Sequence, residues 1–399
     1  MINDRIAQIG DYPFRRLAQL LGSVQPPADL APILMSVGEP QLAAPSLIAE
    51  TLAANAHLWG KYPPTPGTPD WRLAVAEWLN RRYRLPAGLL DAERHIVPAP
   101  GTRESLFMIA LAAVPTRKAG QRPAVCMPDP FYQVYVGASV LGDAEPVFLP
   151  AMAGGGFLPD LDALTPDLLD RTAIIYLCNP TNPQGAFAPL DYLKRLIELA
   201  RAHDAVVAFD ECYAEIYGDV PPVGGLEACA ALGGGFDNVV VFHSLSKRSS
   251  APGLRSGFVA GDAKVMQALL RVMEYGGAGM PLPVQIASAA LWRDEAHVQR
   301  VRAVYAENFR VAERILGNRF GFRRPPGGFY LWLDVGDSEQ AALKLWQEGA
   351  IRTLPGTYLS RATGADGRPV AASRLRVALV HEPAVTETAL GRLTSVLAA

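Results

Sequence analysis

The sequence predicts an α/β protein in two lobes. The large lobe holds a mixed, mostly parallel sheet between helices, and a smaller α+β lobe follows it. Three observations predict this. Short, almost wholly apolar strands alternate with helical stretches, as in a sheet covered on both faces. The strands end in glycine turns or polar side chains, and open α/β sheets bind ligands at those ends. The alternation then stops after Gly276-Gly277-Ala278-Gly279-Met280-Pro281, and long helices follow. The expected division is an arm contributing to the small lobe over 1–45, a large lobe over 46–280 and a small lobe over 281–399.

The 399 residues, half of them hydrophobic, suffice for a large core. A net charge of −2 leaves no electrostatic footprint for nucleic acid or an anionic membrane. Cys126, Cys178, Cys212 and Cys229 show no paired metal spacing, and the histidines are scattered, so no metal is expected. The cysteines read as small buried hydrophobes in a reducing cytoplasm. The charged first ten residues lack the apolar core of a signal peptide, and no apolar run reaches membrane-spanning length.

Taken in order, Tyr12 to Leu17 starts a short helix that Pro26-Pro27 ends. Ile33 to Val37 is a short strand closed by a Gly38 turn. Residues 46–60 carry helical spacing, and Lys61-Tyr62-Pro63-Pro64 forces an extended segment. Trp71 to Tyr83 is an amphipathic helix. Then Ile96-Val97-Pro98-Ala99 is a strand, Gly101-Thr102-Arg103 a turn into a helix, and Ala124 to Met127 a strand. Ala173 to Cys178, Ala205 to Phe209, Asn238 to Phe242 and Gly257 to Ala260 are further strands, with a helix over Leu190 to Ala202. Pro283 to Trp292, Glu295 to Leu316 and Ala384 to Leu397 are helices, and Gly328 to Leu333 and Leu375 to Leu379 strands. Along the predicted sheet edge lie Gly101, Thr102, Tyr132, Asn182, Asp210, Tyr213 and Lys247, a convergence that packing alone does not require.

The most informative stretch is Ser244-Leu245-Ser246-Lys247, followed by Gly253-Leu254-Arg255-Ser256-Gly257. Ser-x-Ser-Lys alone suits a surface turn. At an inner strand end, however, desolvation penalises the ammonium, lowers its pKa and frees a nucleophilic amine.

With Asp210-x-x-Tyr213 and Asn179-Pro180-Thr181-Asn182-Pro183-Gln184-Gly185, this stretch resembles class I/II aminotransferases of fold type I, which use pyridoxal 5'-phosphate (PLP). The resemblance covers nearly the whole chain and implies a role for each matching residue. Lys247 would carry the cofactor aldehyde covalently and then move the proton at the substrate α-carbon. Asp210 would pair with the pyridine nitrogen, and Tyr213 and Asn182 would bond the ring's phenolic oxygen. Gly101, Thr102 and Arg103 at a helix start, with Ser244 and Arg255, would hold the phosphate. Tyr132 would stack on the ring. Arg376, in an apolar strand, would bind the substrate α-carboxylate bidentately, and Gly38 would let the backbone approach it. Tyr62 would reach the phosphate of a neighbouring subunit, which implies a homodimer with shared active sites. The family usually has threonine where this chain has Gln184.

Gly10-Asp11-Tyr12-Pro13-Phe14, Asp129-Pro130-Phe131-Tyr132-Gln133-Val134-Tyr135 and the run from His243 to Gly261 resemble, more narrowly, proteobacterial N-succinyldiaminopimelate aminotransferases of lysine and diaminopimelate biosynthesis. Those enzymes exchange an amino group between glutamate and N-succinyl-2-amino-6-oxopimelate. Arg15, Arg16 and Arg103 are candidates for the distal, anionic end of such a substrate. The alternatives are an aspartate, aromatic or broad-range aminotransferase, a lyase or decarboxylase on the same core, and a PLP-binding regulator without turnover. The lack of a basic DNA-binding extension argues against the last.

Overall fold

The computed structural model describes residues 2–277, 279–364 and 367–398; Ala278, in the glycine-rich stretch read as a lobe boundary, lies outside them. The arm forms a helix over Pro13–Leu21, opened by its proline. The arm then supplies a two-residue strand, β1 (Ile33–Leu34).

The large lobe holds seven strands: β2 (Ile96–Ala99), β3 (Ala124–Asp129), β4 (Glu145–Pro150), β5 (Thr172–Cys178), β6 (Val206–Asp210), β7 (Val239–Ser244) and β8 (Gly257–Gly261). Their spatial order is β2-β8-β7-β6-β5-β3-β4. Only β8 runs against its neighbours, pairing antiparallel with β2 and β7. The carboxyl ends of the other six therefore share one edge. Every residue of β2, β3, β5, β6 and β7 is buried, which explains why their sequences are continuous apolar runs rather than alternating ones. One face packs against Trp71, Trp78, Leu193, Ile197 and Trp292, and the other against Leu106, Ile109, Tyr135 and Leu269.

The small lobe holds β9 (Tyr330–Asp334), β10 (Ile351–Arg352), β11 (Leu354–Pro355) and β12 (Arg374–Ala378). β12 lies between β9 and β11, antiparallel to both, while β10 pairs parallel with β1 of the arm. Leu17 and Leu21 of the arm helix pack on Leu354, Tyr358 and Leu359 of this lobe.

The helix Leu282–Arg293, assigned from sequence to the small lobe, packs on the helices Ser46–Ala54 and Pro69–Tyr83 and shares the large lobe's core. Its apolar face fits both lobes by composition; the indole of Trp292, 4.8 Å from that of Trp78, is what joins it to the first. The helices Gln133–Leu141 and Ala263–Gly276, and the edge strand β4, were not foreseen in the sequence. Gln133–Leu141 is apolar on most sides and so carries no helical stripe. No helix among the described residues is long and apolar enough to cross a membrane.

Candidate active site

The carboxyl edge of the sheet opens onto a cavity of about 530 Å³, walled by both lobes and the arm. Its centre is Lys247, on the short helix Leu245–Arg248 that directly continues β7. The Nζ atom donates to the Gly38 carbonyl of the arm. Burial pulls the Lys247 pKa down from 10.5 to about 8, opposed by Cys212 and Glu39. The amine is therefore largely free at mildly alkaline pH.

Asp210 closes the floor at the end of β6. It is buried, and its carboxylate accepts a hydrogen bond from the Tyr135 hydroxyl at 2.8 Å and one from the Cys212 amide at 3.3 Å. Burial raises its pKa, and these donors act against the rise. Tyr135 is itself fixed by stacking on Tyr176, with centroids 4.4 Å apart and planes 7° from parallel. Behind the strand end, Glu211 accepts from the Tyr83 hydroxyl at 2.6 Å and the Gly225 amide at 2.6 Å, and lies 2.8 Å from His243 Nε2. Adjacent residues of one chain thus point a carboxylate into the cavity and another into the core.

Asn182 and Tyr213 meet as the sequence suggests. Asn182 Nδ2 donates to the Tyr213 hydroxyl at 3.3 Å, and Tyr213 shares a 3.1 Å bond with Tyr330. Arg376, on β12, stands against this pair. Its guanidinium donates to Asn182 Oδ1 at 3.2 Å and to the Ser36 carbonyl at 2.8 Å, and lies 4.6 Å over the Tyr330 ring. It forms no salt bridge among the described residues, and its Nε is buried without a partner. Gly38 is required here because a Cβ would collide with the Tyr330 hydroxyl. The approach expected at Gly38 was to a substrate carboxylate; the close neighbour seen is the Tyr330 side chain.

At the other end the helix Thr102–Ala113 points its first amides at the cavity. Gly101 has φ +82°, and a side chain there would run into Arg255. The Arg255 guanidinium reaches both Glu104 carboxylate oxygens at 3.0 Å, so this cation is already shared with an acid that the sequence reading left out. Ser244 caps the lysine helix, its Oγ accepting from the Ser246 amide at 3.1 Å and bonding Ser246 Oγ at 2.8 Å. Tyr132 lines the cavity wall, edge-on to Tyr135, and its hydroxyl accepts from Arg103 Nε at 3.0 Å.

Tyr62 is apart from all of these, fully exposed on its proline-fixed segment. Asn179 serves its own turn, donating to the Val223 carbonyl at 2.7 Å and accepting from the Ala188 amide at 3.0 Å. Arg15 is a surface residue 3.7 Å from Asp11. Tyr135, Ser246 and Tyr330 are site residues that sequence reasoning missed. The spacing of Tyr132 and Tyr135, one helical turn apart at a helix start, was the available signal for the first.

Residues 32–393 match the family described as aminotransferase class I and II. The chain belongs to that family. An aminotransferase of Neisseria meningitidis of known structure is 39% identical and superposes with a TM-score of 0.92 over 99% of each chain. The aminotransferase AspB of Helicobacter pylori is 34% identical, with a TM-score of 0.88 over 97% of this chain and 98% of that one. An LL-diaminopimelate aminotransferase of Desulforudis audaxviator is 31% identical over 88% of this chain and 89% of its own.

Class I aminotransferases use PLP and have the fold-type-I architecture seen here. The donor set fits the cofactor: one depressed-pKa amine, a buried carboxylate across the floor, hydroxyl donors, and a helix start beside a guanidinium. The sign of the Lys247 shift gives a test. Its folded pKa lies below the usual 10.5, so between pH 8 and 10.5 the unfolded chain holds the extra proton. The contribution to stability therefore rises with pH across that window. Peptide-resolved reductive methylation of cofactor-free protein should show Lys247 reacting with a midpoint near pH 8. A midpoint near that of surface lysines would remove the burial argument.

Proposed function

We propose that this PLP-dependent aminotransferase converts N-succinyl-LL-2,6-diaminopimelate and 2-oxoglutarate to N-succinyl-2-amino-6-oxopimelate and glutamate, in diaminopimelate and lysine synthesis. The observation that carries the reading is the position of Tyr12, Pro13 and Phe14, the arm segment on which the narrower resemblance rests. They form the wall of the cavity that contains Lys247 and Arg376. A relative named for LL-diaminopimelate shares the seven-carbon diamino diacid skeleton.

When bound, PLP supplies an electron-accepting ring that stabilises negative charge at the substrate α-carbon. The chain supplies the rest. Arg376, free of any carboxylate partner, holds the substrate α-carboxylate and so fixes the α-carbon against Lys247. Lys247 would carry the cofactor, and its free amine would take and return the α-proton, a task suited to a base with a pKa near 8. Asp210 would keep a proton on the ring nitrogen, since burial makes pairing with a cation favourable for its carboxylate. Asn182 and Tyr213, bonded to each other, would hold the phenolic oxygen, Tyr132 would cover the ring, and Gly101, Thr102, Arg103, Ser244 and Arg255 would hold the phosphate, with Glu104 sharing the last guanidinium.

Tyr62, wholly exposed in its own subunit, completes the phosphate site of a second copy in a homodimer. Full turnover in a preparation shown by sedimentation to be monomeric would exclude that. Lys247→Ala should lose turnover by at least about a hundredfold and lose the visible absorbance of bound cofactor. Retention of both would reassign the residue. The substrate is read by comparing kcat/KM for the succinylated diamine with that for aspartate and phenylalanine, each with 2-oxoglutarate. The succinylated compound should lead by more than about tenfold, given one additional well-placed carboxylate contact. A lead for aspartate or phenylalanine would instead identify a short-chain or broad-range enzyme.

A further inference from the structure

A second cavity, of about 410 Å³, adjoins the first. Tyr12 and Gln133 line both, so one wall is common to the two. It is formed where the Gly10 to Phe14 segment crosses Tyr358, Ser360 and Arg361 of the small lobe. Two cations face it, Arg16 and Arg361. Arg16 lies 4.0 Å over the Tyr358 ring, and the Arg361 guanidinium donates to the Ile9 carbonyl. Neither forms a salt bridge among the described residues.

The nearby acids are otherwise engaged. Asp11, on the same wall, is 3.7 Å from Arg15. Asp129 accepts the amides of Arg361 and Ala362 at 2.6 and 2.7 Å and the Ser360 hydroxyl. Glu339 accepts the Tyr358 hydroxyl at 2.6 Å. Like charges left facing one cavity repel each other, and an anion between them relieves that repulsion. Desolvation, followed by the Arg16 charge, lowers the Arg361 pKa from its ordinary value, which places the two cations in each other's field.

The backbone is built to keep this arrangement. Gly10 has φ +77°, and a Cβ there would strike the Arg361 guanidinium. Gln133 donates its amide N–H to the Tyr358 carbonyl at 3.3 Å, which fixes the shared wall and leaves its own carbonyl oxygen as an acceptor.

We infer that the Arg16–Arg361 cavity is the subsite for the acyl-group carboxylate of a long, acylated diamino diacid whose reacting end lies between Lys247 and Arg376. This rests on the substrate reading above. With the α-carboxylate on Arg376, the aliphatic chain runs along Tyr12, its amide N–H meets the Gln133 carbonyl, and the acyl carboxylate enters between the two guanidiniums. Short amino acids fill only the first cavity. Arg16 and Arg361 are specificity-determining residues that do not touch the reacting atoms.

The test has two arms on the cofactor-loaded enzyme. In the first, Arg16→Gln and Arg361→Gln are compared with the wild type by kcat/KM for the succinylated diamine relative to that for glutamate. Each substitution should lower that ratio at least tenfold, mainly through KM, and Arg361→Lys should recover part of it. An equal loss for both substrates, or none, overturns the assignment. In the second, straight-chain α,ω-dicarboxylates from glutarate to dodecanedioate are tested as competitive inhibitors. Wild-type affinity should rise at least tenfold at the lengths that span the two cavities, and both glutamine variants should lose that gain. Inhibition indifferent to length, or a gain that survives both substitutions, overturns the subsite even where the succinylated substrate is turned over. A length-dependent gain in an enzyme that ignores the succinylated compound upholds the subsite and rejects only the named substrate.

Discussion

The site depends on keeping one carboxylate, that of Asp210, beneath the cavity floor. A buried ionisable group is costly unless it is hydrogen-bonded. Here the cost is met from neighbouring secondary structure: the Tyr135 hydroxyl arrives from the helix after β3, and the Cys212 amide from the chain just past β6. Tyr135 can serve only because Tyr176, on β5, stacks against it and ties its own hydroxyl to the Leu106 carbonyl at 2.7 Å. Two helices and two strands are thereby committed to the position of one side chain. The Glu211 cluster on the opposite side of the same strand end prevents that end from rotating.

The same logic explains the single antiparallel strand. Lys247 and Arg255 both lie in the connection from β7 to β8, so both cations stay at the carboxyl edge only if β8 begins there. Running β8 back between β7 and β2 places Arg255 beside Gly101, at the start of the helix that follows β2. A parallel strand in that slot would need a long crossover and would carry residue 255 to the opposite edge. Gly101 and Arg255, far apart in sequence, are thus one structural decision.

Much of this was legible from the chain because buried parallel strands are written as unbroken apolar runs. β5, β6 and β7 are of that kind, and their ends could be read as positions of chemistry. The edge strand β4 is half-exposed, with proline at two positions, so it carries neither the apolar run nor the alternation. The two-residue strands β10 and β11 are too short for any periodicity, whereas β1 falls within the stretch Ile33 to Val37 read as a strand. Glu104 resembled an ordinary first-turn acid of a helix; only the fold brings Arg255 to it. Leu282–Arg293 went to the wrong lobe because an apolar helix face does not name its partner. Motif spacing therefore placed the candidate residues near the strand ends, while contacts between remote segments could not be read from it.

The arm is the clearest case of a part whose meaning lies in such contacts. Its strand joins the small lobe through β10, its Gly38 carbonyl meets the large-lobe lysine, and its Ser36 carbonyl holds Arg376. One short segment therefore touches both the lysine proposed to carry the cofactor and the arginine proposed to bind the substrate carboxylate. The arm is thus bonded beside the cavity to both lobes, through Lys247 on one side and Arg376 on the other. The residues before that segment border both cavities, Tyr12, Pro13 and Phe14 lining the first and Gly10, Asp11, Tyr12 and Arg16 the second. On the subsite proposed above, a change at Arg16 would alter the selection of a substrate's tail while the contacts of Ser36 and Gly38 with Arg376 and Lys247 stay as they are.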